Sequence, residues 1–321
     1  MILVDFTRGW LSYLTSSPYL NLWRAAERDQ DCVVLGRGLP DEDAKIGQHQ
    51  WSAIVSDSVA RSVWPQGPIR IYVENDIHRF NVEALAKARA THEQFDLVLD
   101  PYRFASLPED LLHVPEDERA SMVFFPHHVP DDPPPCQSAD AAGAFVVAPG
   151  ARRPYPFLHA LAALNPDGVH WQAHPGYLIA DMERERNAWF PTLARYRVGL
   201  VGLGWGRGGY VLAKYLEYLY AGLLLVAERP SQIECELLGL RDGMNCLLVD
   251  SPQQAADALR QVLLRSDDFA SIAAAGQALA LERHCARHRI AYLKSIVAHY
   301  QEHGRVPTTA EQAMMFVGGA S

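Results

Sequence analysis

Two neighbouring motifs in the C-terminal half of this chain combine residue types that can hold a phosphate and a sugar. The first is Gly204-x-Gly206-x-x-Gly209, which lies between a predicted strand and a predicted helix. Glycines at this spacing let the backbone approach a phosphate closely, and the helix start adds free N–H groups and a positive dipole end. The motif fits a dinucleotide fingerprint; the alternative is a tight turn that closes onto another phosphate-bearing ligand or only onto its own helix.

The second motif is a charge pair on the helix predicted from about Tyr210 to Tyr220. Lys214 and Glu217 are three residues apart and therefore share one face of that helix. Apolar residues flank this face, so we expect the pair at the edge of a cleft. There the lysine could meet a phosphate and the carboxylate could accept hydrogen bonds from sugar hydroxyls. The alternative is a surface ion pair that contributes about 0.2–0.5 kcal/mol to helix stability.

A candidate for proton transfer lies in the N-terminal half, where Asp76 and His78 directly follow a predicted strand at 69–73. An aspartate can orient a histidine or raise its basicity, so that the imidazole can abstract a proton. The alternative is an aspartate that caps the next helix, beside an exposed histidine. Both interpretations stay open on the sequence alone.

The elements that must position these groups are short apolar runs alternating with helical patterns, which predict parallel strands covered by helices on both faces. The alternation stops at Asp131-Asp132-Pro133-Pro134-Pro135 and restarts with a predicted strand at 144–148. The sequence therefore predicts an α/β protein with two Rossmann-like, doubly wound parallel-sheet domains facing a cleft. We expect an N-terminal domain at 1–135, a C-terminal domain at 143–303, and a loosely ordered tail at 304–321.

Composition narrows the partners. The 321 residues carry 29 Lys and Arg against 38 Asp and Glu, a net charge of −9, which argues against binding to nucleic acid or to anionic lipid. The sequence lacks the apolar run of about 18 residues that a membrane span needs. Asp5 interrupts the position where a signal peptide would be apolar, and the five cysteines show no Cys-x-x-Cys spacing. These features predict a cytoplasmic protein with reduced thiols and no zinc site.

Several segments together resemble a known enzyme class. Residues 214–222, with Lys-x-x-Glu-Tyr-Leu-x-Ala-Gly before an apolar strand, resemble the donor-binding helix and strand of GT-B glycosyltransferases. Residues 237–249 and 273–289 continue the likeness, and 150–156 resembles the loop after the first strand of the C-terminal domain. The pattern is similar to that of the spore-maturation glycosyltransferase-like proteins over about 150 residues, and it is weaker in the N-terminal half.

The resemblance implies a GT-B glycosyltransferase that uses a nucleotide-sugar donor, with UDP as the expected nucleotide and no separate cofactor. It implies that Glu217 accepts hydrogen bonds from the ribose. Lys214, Arg152 and the N–H groups after Gly150 would neutralise the diphosphate, with Arg153 in the same loop, so that the reaction needs no metal ion. Asp76 and His78 would then activate an acceptor that the sequence does not identify.

Two other functions stay open, and the first of them follows from a departure from the family pattern. Members with a paired-glutamate motif carry an acidic residue eight positions before the conserved-type glutamate, and here that position is Gly209. A catalytically silent nucleotide-sugar binder is therefore one alternative. The other is an NAD-dependent oxidoreductase using Gly204, Gly206 and Gly209. This second alternative is disfavoured because the fingerprint would sit in the middle of the domain instead of at its first strand.

Overall fold

The computed structural model describes residues 1–6, 17–35, 50–56, 67–73, 90–103, 121–137, 142–148, 155–173, 182–204 and 209–318. The chain divides into two compact units. One combines Met1–Pro126 with Ala286–Ser321, and the other is His127–Cys285. Neither unit contains, within the described residues, a helix long and apolar enough to cross a bilayer.

The first unit is built on a parallel sheet in which the central strands are buried on both faces. Its six strands lie in the order β2-β1-β3-β4-β5-β6. Uninterrupted apolar runs such as Leu3-Val4 and Ile54-Val55 are almost fully shielded from solvent, as a sheet covered on both faces requires. The strands and the first helix are β1 (Ile2–Asp5), α1 (Ser17–Glu27), β2 (Cys32–Leu35), β3 (Ala53–Ser56), β4 (Ile69–Val73), β5 (Leu97–Asp100) and β6 (Met122–Phe124).

The second unit is built on a parallel sheet, in which five strands of the described residues lie in the order β11-β10-β9-β7-β8. Its strands and helices are β7 (Ala144–Ala148), α2 (Pro156–Leu164), β8 (Val169–Ala173), α3 (Met182–Leu193), β9 (Val198–Val201), α4 (Ala213–Tyr220), β10 (Leu224–Glu228), α5 (Gln232–Leu238), β11 (Leu247–Val249), α6 (Pro252–Leu264), a 3₁₀ turn (Ser266–Phe269) and α7 (Ala270–Arg283). The predicted α/β class with two parallel-sheet domains is thus confirmed.

Local sequence signals set several helix boundaries in this unit. A capping box between Ser231 and Glu234 begins α5, and Gly239 ends it in the left-handed conformation at φ 70°. The helix α4 starts later than expected, at Ala213. The preceding Leu212 is extended, and the Tyr210 carbonyl accepts a hydrogen bond from the Gly204 N–H instead of opening the helix.

Two helices near the C-terminus, α8 (Ala286–His303) and α9 (Thr309–Gly318), belong to the first unit. Ile290 and Leu293 of α8 and Phe316 of α9 are buried in the same core as the β1 strand. The Arg289 Nε atom donates to the Pro126 carbonyl at 2.9 Å. The expected boundary at 303 and the expected loose tail at 304–321 therefore differ from the observed grouping. The apolar spacing predicts a helix but carries no information about which sheet that helix covers.

The segment expected to be a linker is also bound to one unit. The carbonyl of Asp132 accepts a hydrogen bond from the Tyr220 hydroxyl at 2.7 Å. The Gln137 side chain donates to the Tyr196 carbonyl at 3.0 Å. Three successive prolines cannot donate ladder hydrogen bonds, so contacts with the rest of the second unit hold this extended stretch.

Candidate functional site

The helix α4 presents Lys214 and Glu217 on its outer edge. The Lys214 Nζ atom lies 3.5 Å from Glu217 Oε2, and the two side chains are only 27% and 13% exposed. The opposite face, with Tyr215, Leu216 and Leu219, is buried. The pair is therefore far more enclosed than the surface ion pair that was the alternative interpretation of this spacing.

A third side chain completes this cluster from a different helix. Trp189 of α3 donates its indole N–H to Glu217 Oε2 at 3.0 Å. The ammonium of Lys214 lies 5.4 Å from the centre of the same indole ring, within cation–π range. Within the part of the chain that the structure describes, both contacts fall on Oε2, and Glu217 Oε1 has no hydrogen-bond partner. We call Lys214, Glu217 and Trp189 the charge cluster.

The position of α4 over the sheet depends on a glycine in β9. A Cβ atom at Gly199 would lie 2.4 Å from the Tyr218 ring, so only glycine lets that ring rest on the strand. Tyr218 also packs edge-on against Phe145 of β7, with ring centres 6.2 Å apart. Burial raises the pKa of the Tyr218 hydroxyl. Because Tyr218 follows Glu217 directly, this packing fixes where the carboxylate leaves the helix.

The glycine segment after β9 is held by its own neighbours. The Leu203 N–H donates to Glu228 Oε2 at 2.8 Å, and the Gly204 N–H donates to the Tyr210 carbonyl at 2.8 Å. A Cβ atom at Gly204 would lie 2.2 Å from the Tyr210 ring. Gly209 adopts the left-handed region at φ 48°. In the described residues, the glycines therefore serve a compact turn.

The role of Glu228 counts against the oxidoreductase alternative. In a dinucleotide site, an acidic residue about 20 positions after the glycines accepts a hydrogen bond from the ribose. Glu228 ends β10, where that residue would lie, but its carboxylate accepts the Leu203 N–H. Partial burial raises the pKa of the Glu228 carboxyl, and the bond from Leu203 opposes that shift.

The structure brings together only part of the site predicted from the sequence. Lys214 and Glu217 meet in the charge cluster, and Gly204 lies in the turn of the same unit. The other predicted positions lie outside the described residues: Asp76, His78, Gly150, Arg152, Arg153 and Gly206.

Sequence reasoning missed Trp189 and the structural use of Glu228. One local signal for Trp189 exists, because it is a tryptophan in a helix whose first half is Met-Glu-Arg-Glu-Arg-Asn. Nothing in the sequence pairs it with Glu217, which lies 28 positions further along.

Two aspartates of the first unit have the spacing of a divalent-cation site, but a lysine already occupies them. Asp29 and Asp31 form an Asp-x-Asp sequence, and both bind Lys294, at 2.6 and 2.8 Å. Among the described residues, no group of three or more His, Cys, Asp or Glu side chains is arranged to hold a metal ion.

Comparison with known proteins agrees with this architecture. Residues 153–295 match the family model of glycosyl transferase-like proteins. No curated protein matches the sequence significantly. The structure is similar to Anabaena Alr3699/HepE, solved with UDP and glucose, at 14% identity and a TM-score of 0.55 over 92% of this chain and 99% of that one. It is also similar to the sucrose-phosphate synthase of Thermosynechococcus elongatus, at 11% identity and a TM-score of 0.58 over 94% and 99%.

These likenesses are to a broad class, and the narrower likeness to spore-maturation proteins stays a prediction. The matched residues, 153–295, include the whole charge cluster and the glycine turn. The chain has the GT-B fold, and residues 153–295 carry its likeness to glycosyl transferase-like proteins.

Proposed function

We propose that this protein is a glycosyltransferase that moves a sugar from a nucleotide-sugar donor to an acceptor without a metal ion. The observation that carries the proposal is the enclosed Lys214–Glu217 pair, with a carboxylate oxygen left to accept a hydrogen bond. The family match over 153–295 supports transferase chemistry. Alr3699/HepE, which shares the fold, was solved with UDP and with UDP-glucose, and this supports UDP as the donor nucleotide.

The two charged groups of the pair have different tasks in this proposal. Glu217 accepts a hydrogen bond from a ribose hydroxyl through Oε1. Lys214 presents a point charge to the diphosphate, whose negative charge grows as the glycosidic bond breaks. Arg152, Arg153 and the N–H groups after Gly150 add further positive potential in the proposed site. A fixed set of donors of this kind stabilises the leaving group without a metal ion.

Acceptor activation is assigned to the N-terminal half. We propose that Asp76 orients His78, which takes the proton from the acceptor hydroxyl as the sugar is transferred. The odd number of cysteines, five, and the lack of a Cys-x-x-Cys spacing support a reducing, cytoplasmic setting as part of this proposal.

The first experiment compares ligands on the full chain. Thermal shifts are measured with UDP, GDP, dTDP and NADH, and the dissociation constant of UDP is then measured by calorimetry. A stabilising shift with a nucleoside diphosphate but not with NADH is expected. A stabilising shift with NADH alone would refute the transferase function and favour the NAD-dependent oxidoreductase.

The variants Glu217→Gln and Lys214→Met test the pair itself. We expect each to weaken UDP binding by about tenfold or more, because a hydrogen bond to a charged group contributes about 1.5–3 kcal/mol. Asp257 and Arg260 of α6 form a matched control, an exposed pair with the same three-residue spacing. Asp257→Asn and Arg260→Met should leave UDP binding unchanged. UDP affinity that survives both changes to the candidate pair would refute the assignment.

Turnover separates a transferase from a silent binder. The wild-type chain is incubated with UDP-glucose, and released UDP is followed by chromatography with and without candidate acceptors. We expect slow hydrolysis that is lost in the Glu217→Gln and Lys214→Met chains. Binding without any release of UDP would favour the silent nucleotide-sugar binder.

A further inference from the structure

We propose that Trp189 is a positioning residue of the donor site, which fixes one oxygen of Glu217 so that the other oxygen is presented to the nucleotide. The inference rests on the proposed function, because it deepens the role of Glu217. It concerns a side chain on α3, a helix that neither the glycine motif nor the charge pair includes.

The first step is the geometry of the hydrogen bond. The indole N–H is a single donor with no acceptor capacity, so its bond to Glu217 Oε2 at 3.0 Å is the one bond it can make. The Trp189 ring packs edge-on against Phe145, a fully buried residue of β7, with ring centres 5.8 Å apart. The sheet therefore sets the ring orientation, and the ring orientation directs the N–H to the carboxylate.

The second step concerns which oxygen is occupied. Lys214 Nζ approaches the same Oε2 at 3.5 Å and also lies over the indole ring. A carboxylate on an otherwise unconstrained glutamate turns freely about its last torsion, because that torsion has a broad, twofold profile. Two partners on Oε2, the neutral indole N–H of Trp189 and the ammonium of Lys214, suppress this rotation. The ordering of Glu217 is then completed during folding, which lowers the entropy cost of binding a ligand.

The third step separates positioning from simple packing. Trp23, a core tryptophan of the first unit, donates its indole N–H to the Leu35 carbonyl, which is how a buried indole is ordinarily satisfied. Trp189 is only partly buried and uses a charged side chain instead. The anchorage of α3 has other sources. Phe190 packs edge-on against Tyr220 at 4.8 Å, and Leu193 is fully buried.

The experiment uses the full chain with Trp189→Phe, which retains an aromatic ring and removes the indole donor. Trp171→Phe is the matched control, because Trp171 is a partly buried tryptophan of the same unit that packs on its hydrophobic core. We expect UDP to bind about tenfold more weakly to Trp189→Phe and within about twofold of wild type to Trp171→Phe. In the double variant Trp189→Phe with Glu217→Gln, the loss should be smaller than the product of the two single losses, because both remove one shared interaction.

A second measurement needs no ligand and observes the intact Trp189 side chain. In ¹⁵N-labelled protein, the indole resonance that is absent from Trp189→Phe is assigned to Trp189. This resonance should move when Glu217 is changed to Gln, because the acceptor loses its charge. The Trp171 resonance should stay in place. A merely structural Trp189 would show no such response to the charge at position 217.

The outcomes distinguish this inference from the function on which it rests. If UDP binds the wild type and is weakened by Glu217→Gln but not by Trp189→Phe, the positioning role is wrong and the proposed function stands. If the chemical shift of the Trp189 indole does not change in Glu217→Gln, the hydrogen bond between the two side chains does not order the carboxylate, and the inference is overturned. If the wild type binds no UDP, the UDP donor and the positioning role both fall.

Discussion

Replacing Gly204 with alanine tests how the glycine turn is held. The Tyr210 ring occupies the space that a side chain at this position needs. Two ring atoms would lie 2.2 Å, and a third 2.7 Å, from the methyl group that alanine adds. Tyr210 is 3% exposed, and its carbonyl is bonded to the Gly204 N–H at 2.8 Å. A rigid ring tied through its own backbone cannot turn aside as a flexible chain end would.

The size of the effect follows from these distances. The ring must retreat by about 1.2 Å to reach the 3.4 Å at which ordinary van der Waals contact begins. Forced overpacking of this kind costs about 1–3 kcal/mol. In a domain of about 150–250 residues, each kcal/mol lowers the melting temperature by about 2–4 °C. We therefore expect Gly204→Ala to melt several degrees below the wild type.

A double-mutant cycle measures the clash directly by thermal unfolding. Tyr210→Leu removes the ring, so the combination with Gly204→Ala should be more stable than the two single losses predict, by about 1 kcal/mol or more. Gly243→Ala is the control. Its methyl group would meet nothing within 4 Å, and its cost comes from the left-handed backbone at φ 71°. That cost should add to Tyr210→Leu without coupling. Additive losses for Gly204→Ala as well would refute the steric argument.

The same cycle tests the predicted role of Gly204 in nucleotide binding. If Gly204 only makes room for Tyr210, restoring the stability with Tyr210→Leu should also restore UDP affinity. If a phosphate must approach the Gly204 backbone, the methyl group should still weaken binding in the double variant. Calorimetry on the four chains of the cycle decides between these roles.

Two further predictions concern pH. Burial, with the nearby charges of Arg287 and Arg289, lowers the pKa of His288 from 6.5 to about 4. The folded chain then binds fewer protons than the unfolded chain, so stability falls as pH drops from 6.5 towards 4, and His288→Gln should flatten the melting temperature in this range. Burial raises the pKa of Glu228, so the free energy of unfolding falls as pH rises above 4.5 and this carboxyl ionises. In chemical denaturation, Glu228→Gln should remove this dependence of the unfolding free energy on pH. An unchanged dependence would contradict the prediction.

The spacing of residues in the sequence predicts the fold correctly wherever the pattern of a single strand or helix is sufficient. The runs at 2–5 and 144–148 are short and largely apolar, which suits strands buried on both faces, and both form parallel strands. The three-residue separation of Lys214 and Glu217 was sufficient to place them on one helical face. These results needed only the strand and helix periods.

The apolar spacing of a helix does not determine which sheet the helix packs against. The residues of α8 at 290, 293, 296 and 297 have the spacing of an amphipathic helix, and this spacing would be the same against either sheet. The partners that decide the matter are distant. Tyr292 of α8 bonds the Phe124 carbonyl, 168 positions away, and stacks on Phe125. Contacts of this range explain why the expected boundary at 303 differs from the observed grouping.

The chemistry of the candidate site depends on the same kind of distant contact. The glycine spacing suits both a dinucleotide loop and a turn packed on its own neighbours, and only the partner of Glu228 distinguishes them. The sequence around Glu217 likewise does not indicate whether a distant side chain binds its carboxylate. Trp189 reaches it because Phe145, 44 positions earlier than Trp189 in the chain, supports the indole from the sheet. If that support sets the direction of the carboxylate, Phe145→Leu should weaken UDP binding although it changes no atom of Trp189, Lys214 or Glu217. Unchanged affinity would show that Phe145 does not set the direction of the Glu217 carboxylate.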